Sequence, residues 1–67
     1  MVYNRDMKIE VEDIYGVPLI FELSEVPLEG SKIETYCYDY EVIKRLFEYD
    51  VFGNTTSVTV IVKRIIF

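Results

Sequence analysis

The sequence predicts a small α+β domain, in which one helix packs on a three-stranded antiparallel sheet in the order β-β-α-β. Three observations support this prediction. Residues 7–12 alternate apolar and polar side chains, residues 42–47 carry apolar side chains at helical spacing, and the run from Thr55 is rich in β-branched residues. A chain of 67 residues has room for one domain, residues 1–67. A helix on one face of an antiparallel sheet is a common arrangement for such elements.

The first two strands are predicted to form a hairpin. Residues 7–12 have a period of two, which is typical of a half-buried strand. Asp13 to Gly16 reads as the turn, because glycine readily takes a positive φ. Residues 17–23 alternate again and form the second strand. Pro18 has no N–H to donate, so we expect it at the start of that strand or on the sheet edge.

The middle of the chain is predicted as a loop that leads to a helix. Residues 24–32 contain proline, glycine and two serines, which are typical of a loop. Residues 33–38 alternate in a way that suits a strand, but they could also lead straight into the helix. Asp39 is a suitable N-cap, and the helix is expected to end near Asp50, before a left-handed turn at Gly53 and Asn54.

The last segment, residues 55–67, is predicted as a strand. One face would carry valines at positions 58, 60 and 62, and the other face would carry Ile61 and Ile65. Two isoleucines are more than a solvated face needs. They could pack beneath a loop or against a second subunit. The apolar fraction of 51% in so short a chain favours a homodimer.

Charge is concentrated in one segment. The chain has a net charge of -5, whereas residues 9–43 contain nine carboxylates and one lysine, a net charge of -8. Phosphate groups are bound by lysine and arginine, so neither nucleic acid nor an anionic membrane surface is the expected partner. An acidic segment favours a basic protein partner, although acidity can also serve solubility alone.

Catalytic and metal-binding motifs are not found in the sequence. There is no histidine, and the one cysteine, Cys37, has neither a disulfide partner nor a base to activate it. No phosphate-binding loop or nucleophile elbow is present. We therefore expect no cofactor, no metal and no enzymatic activity. No signal peptide or apolar membrane segment is recognisable, so a soluble, cytoplasmic protein is expected.

Three tyrosines alternate with other residues at the end of the acidic segment, at positions 36, 38 and 40. Tyrosine is favoured at protein interfaces because its ring offers a large, rigid, amphipathic contact area. The same spacing is also compatible with ordinary packing around the start of a helix.

Four short motifs, in order, resemble the small DNA-mimicking inhibitors of uracil-DNA glycosylase from short-tailed Bacillus phages. They are Met1-Val2-Tyr3-Asn4, the turn from Asp13 to Gly16, Asp39-Tyr40-Glu41-Val42, and Phe52-Gly53-Asn54-Thr55. The resemblance implies a dimer that fills the DNA-binding cleft of the host glycosylase, with carboxylates in the places of phosphates.

The resemblance also implies roles for individual residues. Tyr40 would be the aromatic anchor in the cleft, Glu41 a phosphate mimic, and Asp39 both helix cap and acid. With Tyr36 and Glu34, these are the five residues expected to contact a partner.

The chain departs from the family in several places. Tyr40 stands where the family has phenylalanine, the loop of residues 24–32 and the helix are longer, and Lys44 stands where a second aromatic residue is expected. Two alternatives therefore remain beside the glycosylase inhibitor. One is an interaction module or anti-defence inhibitor with another basic target, and the other is a small structural subunit that assembles through its last strand.

Overall fold

A computed structural model describes residues 7–66 as five strands in a single sheet, and no helix occurs within those residues. The strands are β1 (Lys8–Asp13), β2 (Pro18–Leu19), β3 (Lys32–Glu34), β4 (Asp39–Tyr49) and β5 (Thr55–Ile65). The predicted α+β fold class, with one helix on a three-stranded antiparallel sheet, is therefore wrong. The domain is all-β, and in residues 7–66 no helix that could span a membrane was found.

The sheet is mixed, and its strand order is β2-β1-β5-β4-β3. Strand β5 lies at its centre, parallel to β1 on one side and antiparallel to β4 on the other. The two short strands, β2 and β3, pair antiparallel to β1 and β4 at the two edges. The prediction of a purely antiparallel sheet fails at the β1–β5 pair, because the first and last long strands run in the same direction.

Strand β4 occupies the segment that was predicted as a helix. One β-bulge interrupts its pairing with β5 between Val42 and Lys44, where Ile43 is the extra residue. The bulge shifts the alternation of side chains by one residue. Val42 and Phe47 therefore lie on the same face although they are an odd number of residues apart, and the unpaired Ile43 adds a third apolar residue between them in sequence. That spacing imitates a helix. Asp39 is consequently not an N-cap but the first residue of a strand.

The other predicted elements are partly confirmed. Strand β1 and its hairpin with β2 form, Gly16 has a φ of 82°, and Pro18 begins an edge strand. Strand β2 is nevertheless only two residues long, and the predicted strand of residues 17–23 largely does not form. Residues 33 and 34, left open between strand and helix, belong to β3. Gly53 has a φ of 85°, but the turn that contains it joins two strands.

One face of the sheet, here called the covered face, is closed by residues 20–31. This segment, here called the crossover, leads from β2 at one edge to β3 at the other edge. Its Val26 joins the buried core, and Phe21 and Leu23 pack against that core. The core residues on the sheet are all valines: Val11, Val42, Val58, Val60 and Val62. A loop thus does what the helix was expected to do.

The opposite face, here called the open face, has no covering segment within residues 7–66. By register it carries lysines and carboxylates of β1, β3 and β4 together with Ile61 and Ile65 of β5. Ile61 is nevertheless only 9% exposed, because β5 is central and side chains of both neighbouring strands surround it. The structure therefore shields this isoleucine without a second subunit.

Candidate interaction surface

Four of the six tyrosines, at positions 15, 36, 38 and 40, lie at one end of the sheet. This end, here called the tyrosine end, consists of the turn at residues 13–17, the turn at residues 35–38 and the last residues of β5. The elements meet there because β1 ends opposite Val62, and β4 begins opposite Ile65. The molecule is elongated, with extents of 44 × 21 × 19 Å.

The turn at residues 13–17 presents Tyr15 and Ile14 to solvent. Asp13 holds this turn, since its Oδ1 accepts hydrogen bonds from the backbone N–H of Tyr15 at 2.8 Å and of Val17 at 2.9 Å. The backbone N–H of Asp13 also donates to the carbonyl oxygen of Val17. The exposed aromatic ring of Tyr15 is therefore carried on a well-bonded turn.

The turn at residues 35–38 presents Tyr36 and Cys37. The hydroxyl of Thr35 donates to the carbonyl oxygen of Tyr38 at 2.6 Å and accepts from the backbone N–H of Tyr38 at 3.0 Å. These bonds tighten the hairpin between β3 and β4. Tyr36 at its tip is fully exposed, as a contact residue must be before a partner binds.

Arg64 connects the two turns. Its guanidinium carbon lies 3.9 Å from the ring centroid of Tyr38, a cation–π contact. The same arginine lines a surface pocket of about 400 Å³, together with Asp13, Ile14, Tyr15, Leu19, Tyr40, Lys63 and Ile66. Arginine and tyrosine around a pocket are the composition that is enriched in the energetically important parts of protein interfaces.

Tyr40, the predicted anchor, lies on the covered face and is half-buried. Its ring packs edge-on against Phe21 of the crossover, with the centroids 5.4 Å apart. It lines the pocket with one side but also supports the core. Its neighbours Asp39 and Glu41 point to the open face, because successive side chains of a strand alternate.

The predicted acidic residues lie together on the open face, but basic side chains lie among them. Lys32 bridges Asp39 at 3.3 Å and Glu34 at 3.5 Å. The pKa of Lys32 is raised, first by its hydrogen bond to Asp39 and the attraction of that carboxylate, and further by Glu34. Glu41 lies across from Lys32 on β3 and Lys63 on β5. The five predicted contact residues thus lie on one hairpin but do not share a surface. Tyr40 is on the covered face, Tyr36 is in the turn, and the three acids are on the open face.

Carboxylates without a neighbouring base occur on the crossover instead. Glu22, Glu25 and Glu29 are exposed, residues 20–31 contain no lysine or arginine, and none of the three takes part in an ion pair in the part of the chain that the structure describes. The contact between Phe21 and Tyr40 places the start of this acidic segment beside the tyrosine end.

Sequence reasoning did not single out Tyr15, Arg64 or Ile66 as parts of the surface. Tyr15 was recognised only as a turn residue. Arg64 and Ile66 are far from the tyrosines in sequence, and only the β4–β5 register brings them there. Recognition of residues 39–49 as a strand would have supplied this register, because a hairpin at Gly53 places Arg64 opposite Tyr40.

No family model matches the chain, and no curated protein or solved structure is similar to it at a significant level. Within residues 7–66 no group of three or more histidine, cysteine, aspartate or glutamate side chains is arranged to hold a metal ion.

Proposed function

We propose that this chain is a non-enzymatic interaction module that binds a protein partner through its tyrosine end. The observation that carries the proposal is that two turns at that end expose Tyr15, Tyr36 and Tyr38, with Arg64 between the turns. Both turns are fixed by side-chain hydrogen bonds, so little conformational entropy would be lost on binding. The pocket suits one apolar or aromatic side chain of the partner.

The partner is expected to carry a basic surface next to its contact site. The crossover carries three exposed carboxylates that make no ion pair within residues 7–66, and its start lies beside the tyrosine end; together they would attract lysine and arginine over a long range. Such attraction acts chiefly on the association rate and is screened by salt. We therefore expect association to slow as the ionic strength rises.

The most specific form of the proposal is an inhibitor that occupies the DNA-binding cleft of a host uracil-DNA glycosylase in the cytoplasm. Its support is the resemblance of the four motifs, of which Met1-Val2-Tyr3-Asn4 lies outside the described residues. The helix that the family carries at Asp39 is absent here. Because Tyr40 packs behind Phe21, the exposed rings of Tyr36 and Tyr15 are the better candidates for the cleft.

A uracil-excision assay tests the specific target. Purified glycosylase acts on a uracil-containing oligonucleotide in the presence of the wild-type chain, Tyr36→Ala or Tyr49→Ala. Tyr49 is also exposed but lies near the opposite end of β4, so its variant is a matched control. We expect stoichiometric inhibition by the wild type and by Tyr49→Ala, and loss of inhibition with Tyr36→Ala.

Full excision activity at a large excess of the chain would exclude the glycosylase and leave the interaction module with another basic target. Capture of one protein by the wild type, Tyr36→Ala and Tyr15→Ala alike would show that the tyrosine end is not the contact surface.

A further inference from the structure

Within residues 7–66, one edge of strand β4 is free. On one side it pairs with β5 along its whole length, but on the other side β3 pairs only with residues 39–41. Val42 exchanges backbone hydrogen bonds with Gly30 and Ser31. Beyond it, no strand of the described chain lies beside residues 43–49 on that side. An uncovered edge of this length is a template for another strand.

The middle of this edge is regular. The two irregularities in the β4–β5 ladder lie between Val42 and Lys44 and between Glu48 and Tyr49. Five residues, 44–48, therefore pair without interruption, and Leu46 is at their centre. Leu46 lies on the open face and is 49% exposed.

From this geometry we infer that a second copy of the chain pairs with this edge, antiparallel, with the two-fold axis at Leu46. Leu46 then lies opposite its own counterpart, and each Lys44 lies opposite the Glu48 of the other copy. Arg45 lies opposite Phe47 of the other copy. Within one chain the same two side chains, two residues apart on β4, make a cation–π contact with the guanidinium carbon 5.4 Å from the ring centroid. Each of these contacts thus occurs twice across the interface, as two-fold symmetry requires.

Charge complementarity favours a second copy of the chain over a strand of another protein at this edge. Opposite charges directly across a strand pair stabilise it, and like charges destabilise it. A register displaced by two residues would remove both Lys44–Glu48 pairs. A lysine on an edge normally discourages pairing, but here the same strand supplies a glutamate at the symmetric position.

The surroundings leave room for the second strand. Strand β3 and the residues just before it reach no further along this edge than Val42, so the five regular residues of each copy, 44–48, can pair. The turn after β4 in one copy would then reach the place where the crossover of the other copy joins Val42. That contact would cover the exposed Val51 and Phe52, 93% and 85% exposed, with Leu28 of the other copy.

Charge-swapped variants test the inference by sedimentation equilibrium. The wild type is expected as a dimer, twice the chain mass of 7.9 kDa. Lys44→Glu and Glu48→Lys each place like charges opposite one another and should weaken dimerisation on the order of tenfold. The double variant, and an equimolar mixture of the two single variants, restore opposite charges and should restore the dimer.

Lys8→Glu is the matched control, because it makes the same charge change on β1, away from the free edge, and should leave the dimer intact. Far-UV circular dichroism verifies that every variant keeps the β-sheet spectrum. A monomeric wild type at millimolar concentration would overturn the inference. So would equal dimerisation of the wild type and both single variants, because the interface would then lie elsewhere.

Discussion

Neighbouring tyrosines on one hairpin serve different purposes. Tyr36 projects fully from the turn, whereas Tyr40 packs against Phe21 and the valine core. Asp39 and Glu41, adjacent to Tyr40 in sequence, point away from it and lie near Lys32 and Lys63. At this scale the alternation of a strand, rather than sequence proximity, decides which side chains can act together.

Stability separates the two tyrosines. Tyr40→Ala removes a half-buried ring and its edge-on partner, so we expect the free energy of unfolding to fall by about 2–3 kcal/mol. Tyr36→Ala should change it by less than about 0.5 kcal/mol, since surface substitutions are usually within that range. Urea unfolding followed by circular dichroism measures both. Equal losses would contradict the assignment of Tyr40 to the core.

Asp50 makes the β4–β5 turn dependent on pH. Its carboxylate accepts hydrogen bonds from the backbone N–H of Asn54 and of Phe52, and these bonds lower its pKa below the ordinary value of 3.8, with Asn54 the larger cause. Because the pKa is lower in the folded state, the stabilisation is fully present above pH 3.8 and is lost as the pH falls through the folded pKa.

The prediction is a difference in thermal midpoint between the wild type and Asp50→Asn that is largest near neutral pH and shrinks towards pH 2. The other carboxylates titrate in both proteins, so the difference isolates Asp50. Thermal unfolding at several pH values measures it, and a difference that grows on acidification would contradict the proposed cause.

Among the elements, the β4–β5 hairpin is the central one, and its turn depends on Gly53. The φ of 85° at this residue is in the left-handed region, and no neighbouring atom would obstruct a Cβ there. The cost of a side chain is therefore conformational and not steric crowding by neighbours. The hairpin supplies both the register that brings Arg64 to the tyrosine end and the free edge of β4.

Gly53→Ala is expected to lower the free energy of unfolding by about 1–2 kcal/mol, because L-residues pay that amount in the left-handed region. Gly53→Asn should cost less, since asparagine tolerates this conformation better than other residues with a side chain. Chemical denaturation of the two variants gives the comparison. Unchanged stability in both variants would show that the turn does not require a positive φ at position 53.

At the scale of the whole molecule, stability depends on the crossover, because this loop closes the covered face. A chain of this length has a marginal core, and Val26 is the crossover residue that is buried in it, at 7% exposure. If a second copy pairs through β4 as proposed, the two tyrosine ends point in opposite directions, and a dimer could engage two partners.

Val26→Asp tests the role of the crossover. An unpaired carboxylate among valines costs several kcal/mol, which is comparable with the stability of a small domain, so we expect a largely unfolded chain. Ile20→Asp is the matched control, because Ile20 lies in the same segment but is 98% exposed. Amide hydrogen exchange should show protection of β5 lost in the first variant and kept in the second.

Local patterns were sufficient to predict strand β1, the turn at Gly16, the edge position of Pro18 and the valine face of β5. Each depends on a period of two, or on the backbone preference of one residue, and needs no distant partner. The extended conformation of residues 39–49 and the position of Arg64 at the tyrosine end depend instead on pairing between distant strands. The bulge at Ile43 gives the strand an apolar spacing like that of a helix. Only pairing with β5 favours the extended form, and at the open end of the hairpin the paired residues Asp39 and Ile65 are more than twenty positions apart in sequence.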